Sequence, residues 1–352
     1  ADVQGIVDPD GGSLEWACTD WRLLTDAPLT IYRDLSEACS DDAVDAIVIA
    51  TPNHTHRDVL RAVEASHKPV LLEKPMATTL ADAMDIVNLA RDYPAVIQLG
   101  MQYRFKAQYV DALQAVTAQS TLGRVKTVAM SEYRPPFLDK VDQWNKFNRN
   151  SGGTLVEKCC HYFDLLNRIA ASLPARVFGS GGRAVNFKDF SYEGQTSDID
   201  AHALVIVDYA NGVKGQFTLN MFSEELYEGL TVSGDRGTLR AEEQASFKPG
   251  RGSSSKITVE VPGHAAYDGF DCTFPEAIES GGHYGSTLFE HVRFAKRVQG
   301  QQTDGASCAE GLWAIITAWM AQESMRTSAV VDVRETLCLL YTSPSPRDQR
   351  GG

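Results

Sequence analysis

Hydrophobic and polar positions along the chain follow two different patterns, and the change falls near residue 103. Between Ala46 and Gly100, short continuous apolar runs alternate with stretches of helical period. Ala46-Ile47-Val48-Ile49-Ala50 and Val70-Leu71-Leu72 read as buried strands, and Ala95-Val96-Ile97-Gln98-Leu99 as a third. Between them, His56 to Ala65 carries Val59, Leu60 and Val63 at helical spacing. Thr79 then opens a helix with Leu80, Ala83, Met84, Val87 and Ala90 on one face. Strand and helix in alternation with short links predict a parallel sheet with right-handed crossovers. Upstream, Val3 to Val7 and Thr30 to Tyr32 are weaker strands, with a helix around Ser36 to Cys39.

Beyond residue 103 the runs are joined by hairpin signals. Val125–Met130, Leu204–Tyr209, Val213–Met221, Leu230–Ser233, Thr238–Ala241 and Lys256–Val261 read as strands. Ala210-Asn211-Gly212 and Gly234-Asp235-Arg236-Gly237 supply turns. Helices are predicted over Thr287–Gln299 and Cys308–Arg326, with a last strand at Val330–Val333. The expectation is an α/β domain over residues 1–102 with a doubly wound parallel sheet, and an α+β domain over 103–333 with an open-faced, mainly antiparallel sheet. Residues 338–352, rich in Pro, Ser, Gly and charge, are expected to be a non-native or disordered tail.

Composition narrows the function classes. A net charge of −13 with no basic stripe would repel a phosphate backbone, so neither nucleic acid nor an anionic membrane surface is an expected partner. Seven cysteines, two of them adjacent as Cys159-Cys160, suit neither a disulfide framework nor a zinc motif, which points to a reducing, cytoplasmic setting.

The chemistry concentrates at Glu73-Lys74-Pro75, directly after a buried run. In open α/β sheets ligands bind at the carboxyl ends of the strands, and a proline there fixes the backbone. A lone strand-end lysine is otherwise an ordinary surface residue. Farther on, Gly152-Gly153-Thr154 marks a helix start, with Thr154 as N-cap and Glu157 closing a capping box. Glu157, His161, Asp164 and Arg168 then share one helical face, readable either as solvated polarity or as a site. A histidine flanked by carboxylates can serve as a base near neutral pH. A metal reading of the same cluster is weakened by Arg168 on that face, and no metal is expected. Asp8 is either a turn aspartate before Pro9 or the acid that binds the ribose hydroxyls of a dinucleotide.

Taken together, several motifs resemble the Gfo/Idh/MocA oxidoreductase family, its inositol 2-dehydrogenases in particular. They are Asp8, Thr51-Pro52-Asn53 with His56, Glu73-Lys74-Pro75, Gly100-Met101-Gln102-Tyr103-Arg104-Phe105, Gly152-Gly153 with Glu157, His161 and Asp164, and Ala309-Glu310-Gly311-Leu312. The resemblance implies a Rossmann domain binding NAD or NADP through Asp8, Thr51, Pro52, Asn53, His56, Glu73 and Lys74, with Asp8 favouring NAD. It further implies a cis Lys74–Pro75 bond, Lys74 on the substrate hydroxyl, His161 as acid/base oriented by Glu157, and Arg104 and Asp164 near the substrate. The implied substrate is a cyclic polyol or sugar. The implied assembly is a homodimer or homotetramer through the second-domain sheet. An NAD-dependent glycosidase of the same superfamily and a non-catalytic sensor on the same fold are the alternatives. The family's glycine-rich phosphate loop would precede Asp8, so the sheet is expected to lack its first strand here. The resemblance offers no role for Lys158 or for Cys159-Cys160.

Overall fold

The computed structural model describes residues 2–117, 121–246, 253–263, 267–275, 278 and 282–342. The amino-terminal part carries five parallel strands, β1 (Gly5–Ile6), β2 (Thr30–Ile31), β3 (Ile47–Ile49), β4 (Val70–Glu73) and β5 (Ile97–Gly100). They pair as β1 with β2 and as β3 with β4 with β5, in two separate sheets. Val70, Leu71 and Leu72 are fully buried, as a continuous apolar run flanked by parallel neighbours requires.

Helices α1 (Gly11–Leu24), α2 (Leu35–Ser40), α3 (His56–Val63) and α4 (Leu80–Asp92) connect the strands. Thr79 caps α4 by accepting from the Asp82 amide at 3.1 Å. Its fully buried stripe is Leu80, Ala83, Ile86 and Leu89, while Met84, Val87 and Ala90 pack at the margin of the core. The helical face is thus rotated slightly from the predicted one.

The second part begins with α5 (Ala107–Thr117) and is organised by a nine-stranded sheet. Its strands are β6 (Val125–Tyr133), β7 (Pro174–Gly182), β10 (His202–Tyr209), β11 (Lys214–Asn220), β12 (Leu226–Gly234), β13 (Thr238–Ala245), β14 (Ser254–Glu260), β15 (Tyr267–Asp271) and β16 (Val331–Asp332). Their spatial order is β15-β14-β13-β12-β6-β11-β10-β7-β16. Among the described residues only β6 and β11 pair in parallel, and both predicted hairpins are present. The short strands β8 (Ser191–Tyr192) and β9 (Gln195–Thr196) form a separate hairpin.

One face of the sheet is covered by α8 (Cys160–Ala170) and α10 (Cys308–Thr327). These helices follow the short turns α6 (Asn148–Ser151) and α7 (Thr154–Glu157) and the helix α9 (Ser286–Val298). The other face leaves Phe178, Leu204 and Ile206 exposed. The final helix, α11, spans Val333–Thr342, so the beginning of the segment set apart as a tail is helical. Residues 343–352 lie outside the described residues. Among the described residues no helix is long and apolar enough to cross a membrane.

Candidate active site

The carboxyl ends of β3, β4 and β5 meet the α7–α8 segment, and the chemistry-bearing residues gather there. Glu73 ends β4, and the Lys74–Pro75 bond that follows is cis. From this turn Lys74 reaches into the second domain, where its Nζ donates to the Glu157 carbonyl at 2.9 Å and pairs with Glu157 Oε1 at 3.5 Å. Burial works against the Lys74 ammonium, but Glu157, with help from Cys160 and Glu73, more than offsets it and raises its pKa. Lys74 is a charged interdomain residue, not a surface one.

The helix carrying Glu157 and His161 differs from its predicted form in two ways. Its N-cap is Gly153, and the Thr154 hydroxyl donates to the Asp200 carbonyl at 2.7 Å, so the Thr154/Glu157 capping box does not form. The entrance itself requires glycine. Gly152 and Gly153 both have positive φ, and a Cβ on Gly153 would lie 2.1 Å from Gln322 Oε1. A capping box does exist, but at the start of α10, between Ser307 and Glu310. The helix is also interrupted at Lys158–Cys159, which separates α7 from α8. Glu157, His161 and Asp164 are each less than one-tenth exposed, which rules out a solvated polar face.

Asp164 and Arg104, expected near the substrate, are spent on each other. The guanidinium makes a bidentate pair with the carboxylate at 2.5 and 2.6 Å and also meets Glu310 at 3.1 Å, all on a buried arginine. They bind the turn after β5 to α8 and α10 and leave the buried Arg104 Nη1 without a partner. Arg168 likewise pairs with Glu310 at 3.1 Å.

His161 is buried. Desolvation first, then the charges of Lys74 and Lys158, hold its pKa well below the usual histidine value, so the imidazole is neutral near pH 7. No hydrogen bond joins it to Glu157, because Glu157 Oε2 and His161 Nδ1 are both buried without partners. The orienting contact expected from Glu157 is therefore absent. The His161 ring stacks on Tyr103 instead, with centroids 4.2 Å apart and planes within 5°. Tyr103 lay within a quoted motif but carried no sequence signal for this contact, which only the tertiary fold creates.

His56 is also buried. Its ring bridges the Thr51 carbonyl at 2.9 Å and the Pro75 carbonyl at 2.8 Å, clamping the loop after β3 to the Lys74–Pro75 turn. Both ring nitrogens thus face carbonyl oxygens of the protein, and the neutral imidazole donates to one of them at a time. Asn53, at the same loop, has a buried Nδ2 with no partner. Glu73 is partly buried, and desolvation raises its carboxyl pKa. Thr51, Pro52, Asn53, Glu73 and Lys74 thus lie together at the strand ends, where the unpartnered Asn53 Nδ2 is a donor that would fit a nucleotide bonding through amides and hydroxyls. Asp8 stands apart. It follows β1, and its carboxylate accepts from the Asp10 amide at 2.8 Å in the turn before α1.

Comparison with known proteins accords with this arrangement. Residues 1–101 match the NAD-binding Rossmann fold of an oxidoreductase family and residues 117–333 its carboxyl-terminal alpha/beta domain, so the chain belongs to the Gfo/Idh/MocA oxidoreductase family. It is 24% identical over 309 residues to a myo-inositol 2-dehydrogenase of Thermotoga maritima, covering 87% of this chain and 85% of that protein. It is 24% identical over 306 residues to a 1,5-anhydro-D-fructose reductase of Ensifer adhaerens, covering 86% and 84%. Among solved structures, a levoglucosan dehydrogenase with NADH and levoglucosan superposes with a TM-score of 0.72 at 18% identity, covering 94% of this chain and 90% of that one. The fold is therefore a Rossmann domain joined to an α+β domain with a mainly antiparallel sheet.

Proposed function

We propose that this oxidoreductase transfers hydride between NAD and a hydroxyl-bearing carbon of a cyclic polyol or sugar, with Lys74 and His161 handling the proton. The observation that carries this reading is the reach of Lys74 across the domain boundary to Glu157, four residues before His161. It brings a charged donor and a neutral buried imidazole to one place at the strand ends.

Each residue then has a task. The Lys74 ammonium donates a hydrogen bond to the reacting oxygen, and Glu157 holds that ammonium in place and in its charged form. His161, neutral because it is buried among cations, accepts the hydroxyl proton at a ring nitrogen. Thr51, Pro52, Asn53 and Glu73 would hold the nicotinamide end of NAD, which when bound supplies the hydride acceptor. The close packing of Tyr103, Tyr162 and Phe217 behind His161 keeps water from its rear. The relatives named for inositol and anhydrosugar chemistry support a substrate of this class.

The deciding experiment follows NAD and NADP reduction against myo- and scyllo-inositol, aldoses and 1,5-anhydrohexitols. Reduction with at least one of them, abolished in His161→Ala, is expected. Turnover that survives His161→Ala removes His161 from the chemistry.

The same reading includes a homodimer formed through the open sheet face. Phe178 and Ile206 are cross-strand neighbours there, 38% and 53% exposed, with Leu204 beside them at 56%. Sedimentation of Ile206→Glu as a smaller species than the parent would support it. None of the seven cysteines is in a disulfide among the described residues, which supports a reducing compartment.

A further inference from the structure

A buried imidazole whose Nδ1 has no partner needs something other than a hydrogen bond to set its plane. For His161 the flat surface it meets is the Tyr103 ring, and that ring is itself restrained. Lys158 Nζ donates to the Tyr103 hydroxyl at 2.7 Å and lies 3.1 Å from Glu132 of β6. Lys106 Nζ lies 4.8 Å from the centre of the same ring and is anchored by Glu228 of β12 and Glu243 of β13 at 2.7 and 2.9 Å. Both lysines are buried, and each has a carboxylate on the nine-stranded sheet, as buried ammonium groups require. The phenol is thereby fixed to three adjacent strands of the nine-stranded sheet, β6, β12 and β13.

We propose that Tyr103 and Lys158 are positioning residues for His161: Lys158 tethers the phenol, and the phenol face holds the imidazole in the plane it needs to take a proton. This rests on the reading of His161 as the acid/base. It gives a place to Lys158, for which the sequence suggested none, and it explains why Glu157 can be committed to Lys74. It also makes Lys158 a determinant of His161 basicity. The cations around the imidazole are Lys74 at the end of β4, Lys158 on its own segment and Lys106 before α5; His283, before α9, also faces it, but burial pushes its own pKa down to about 4, so it is neutral near pH 7. Glu157 and Asp164 lie on the same segment, but each is engaged by its own cation. The cations act in one direction, against the imidazolium, so removing one of them must raise the pH at which His161 titrates.

The test uses the whole chain with 15N,13C-labelled histidine, the His161 signals being those absent from His161→Ala. In Tyr103→Leu the imidazole C–H protons should lose the ring-current displacement seen in the parent protein, and Tyr103→Phe should retain it. In Lys158→Met the His161 titration midpoint should rise by about one pH unit. Unchanged C–H shifts in Tyr103→Leu, or an unchanged midpoint in Lys158→Met, would overturn the proposal. Should Tyr103→Leu fail to fold, the Lys158→Met midpoint decides alone, with Lys158→Gln as its replacement on the same criterion. Whether His161 is the base at all is read separately, from turnover of His161→Ala, so the two ideas can fail independently.

Discussion

Two carboxylate–cation pairs are anchored seven residues apart on the α7–α8 segment, and they are built to opposite specifications. Arg104 and Asp164 are joined through two short parallel bonds in a site closed to solvent, with Arg104 Nη1 left without a partner. Lys74 and Glu157 touch at 3.5 Å, leave Glu157 Oε2 unpartnered, and keep 16% and 10% of their side chains exposed. A planar guanidinium matched to a carboxylate by two parallel bonds is held in one orientation, with its paired edge closed to a ligand. An ammonium with three donors, of which the protein occupies only part, can still turn one toward a ligand. The difference separates a brace from a reagent more clearly than the sequence motif does, since both pairs lie within it.

The largest expected effect comes from removing the reagent. Lys74→Met should lower kcat/KM by about 100- to 1,000-fold, the usual consequence of losing a donor to a charge that develops in the transition state. NAD affinity by calorimetry should change far less. Near-normal turnover in this variant would make the two pairs equivalent and end the comparison.

The brace should fail in stability instead. Asp164→Asn leaves the buried Arg104 with only Glu310, and a loss of about 3 kcal/mol is expected from urea unfolding. A midpoint equal to the parent's, together with a collapse in kcat, would show that Asp164 belongs to the reacting site after all.

How much of this could be read from sequence depended on whether the signal was local. Val70-Leu71-Leu72 announced a buried parallel strand because a continuous apolar run ended at charge and proline, and β4 lies where that predicts. Helix α1 was not predicted, and the physical reason is that none of its residues is buried, so it has no apolar stripe to betray it. Strand β7 was also missed. Gly179 and Gly181 sit where a Cβ would strike the Ala321 carbonyl of α10 and the His202 carbonyl of β10, so close packing has removed the alternating side chains that mark a strand. At the site, motif residues identified the segment but not their partners. Arg104 with Asp164, Lys74 with Glu157 and Tyr103 with His161 are separated by 60, 83 and 58 positions, and nothing local in either member names the other.

A smaller effect concerns the acid side of the pH profile. Because burial and neighbouring cations depress the His161 pKa, the imidazole is neutral above that depressed value and charged below it. Activity that needs a free base should therefore hold as pH falls through the ordinary histidine value of about 6.5 and decline only beneath it. A kcat/KM profile that already falls by half at pH 7 would contradict the buried, cation-flanked site.

The smallest expected change at neutral pH, and the sharpest test of the looser pair, is Glu157→Gln. If Glu157 oriented His161, this change would alter the acid limb, but the structure joins Glu157 to Lys74 instead. Burial opposes the Lys74 charge and Glu157 is the main group that offsets it, so neutralising Glu157 must lower the lysine pKa from its raised value. In the proposed mechanism Lys74 acts as a donor in its charged form, so activity would be lost as pH rises through that pKa. The parent enzyme should show no alkaline decline below the ordinary lysine value of about 10.4. Glu157→Gln should bring such a decline into the measurable range, leave the acid limb unmoved, and lower kcat at pH 7 by less than about tenfold. An alkaline limb that stays put while the acid limb shifts would mean that Glu157 serves the histidine, and that the 3.5 Å contact with Lys74 is incidental.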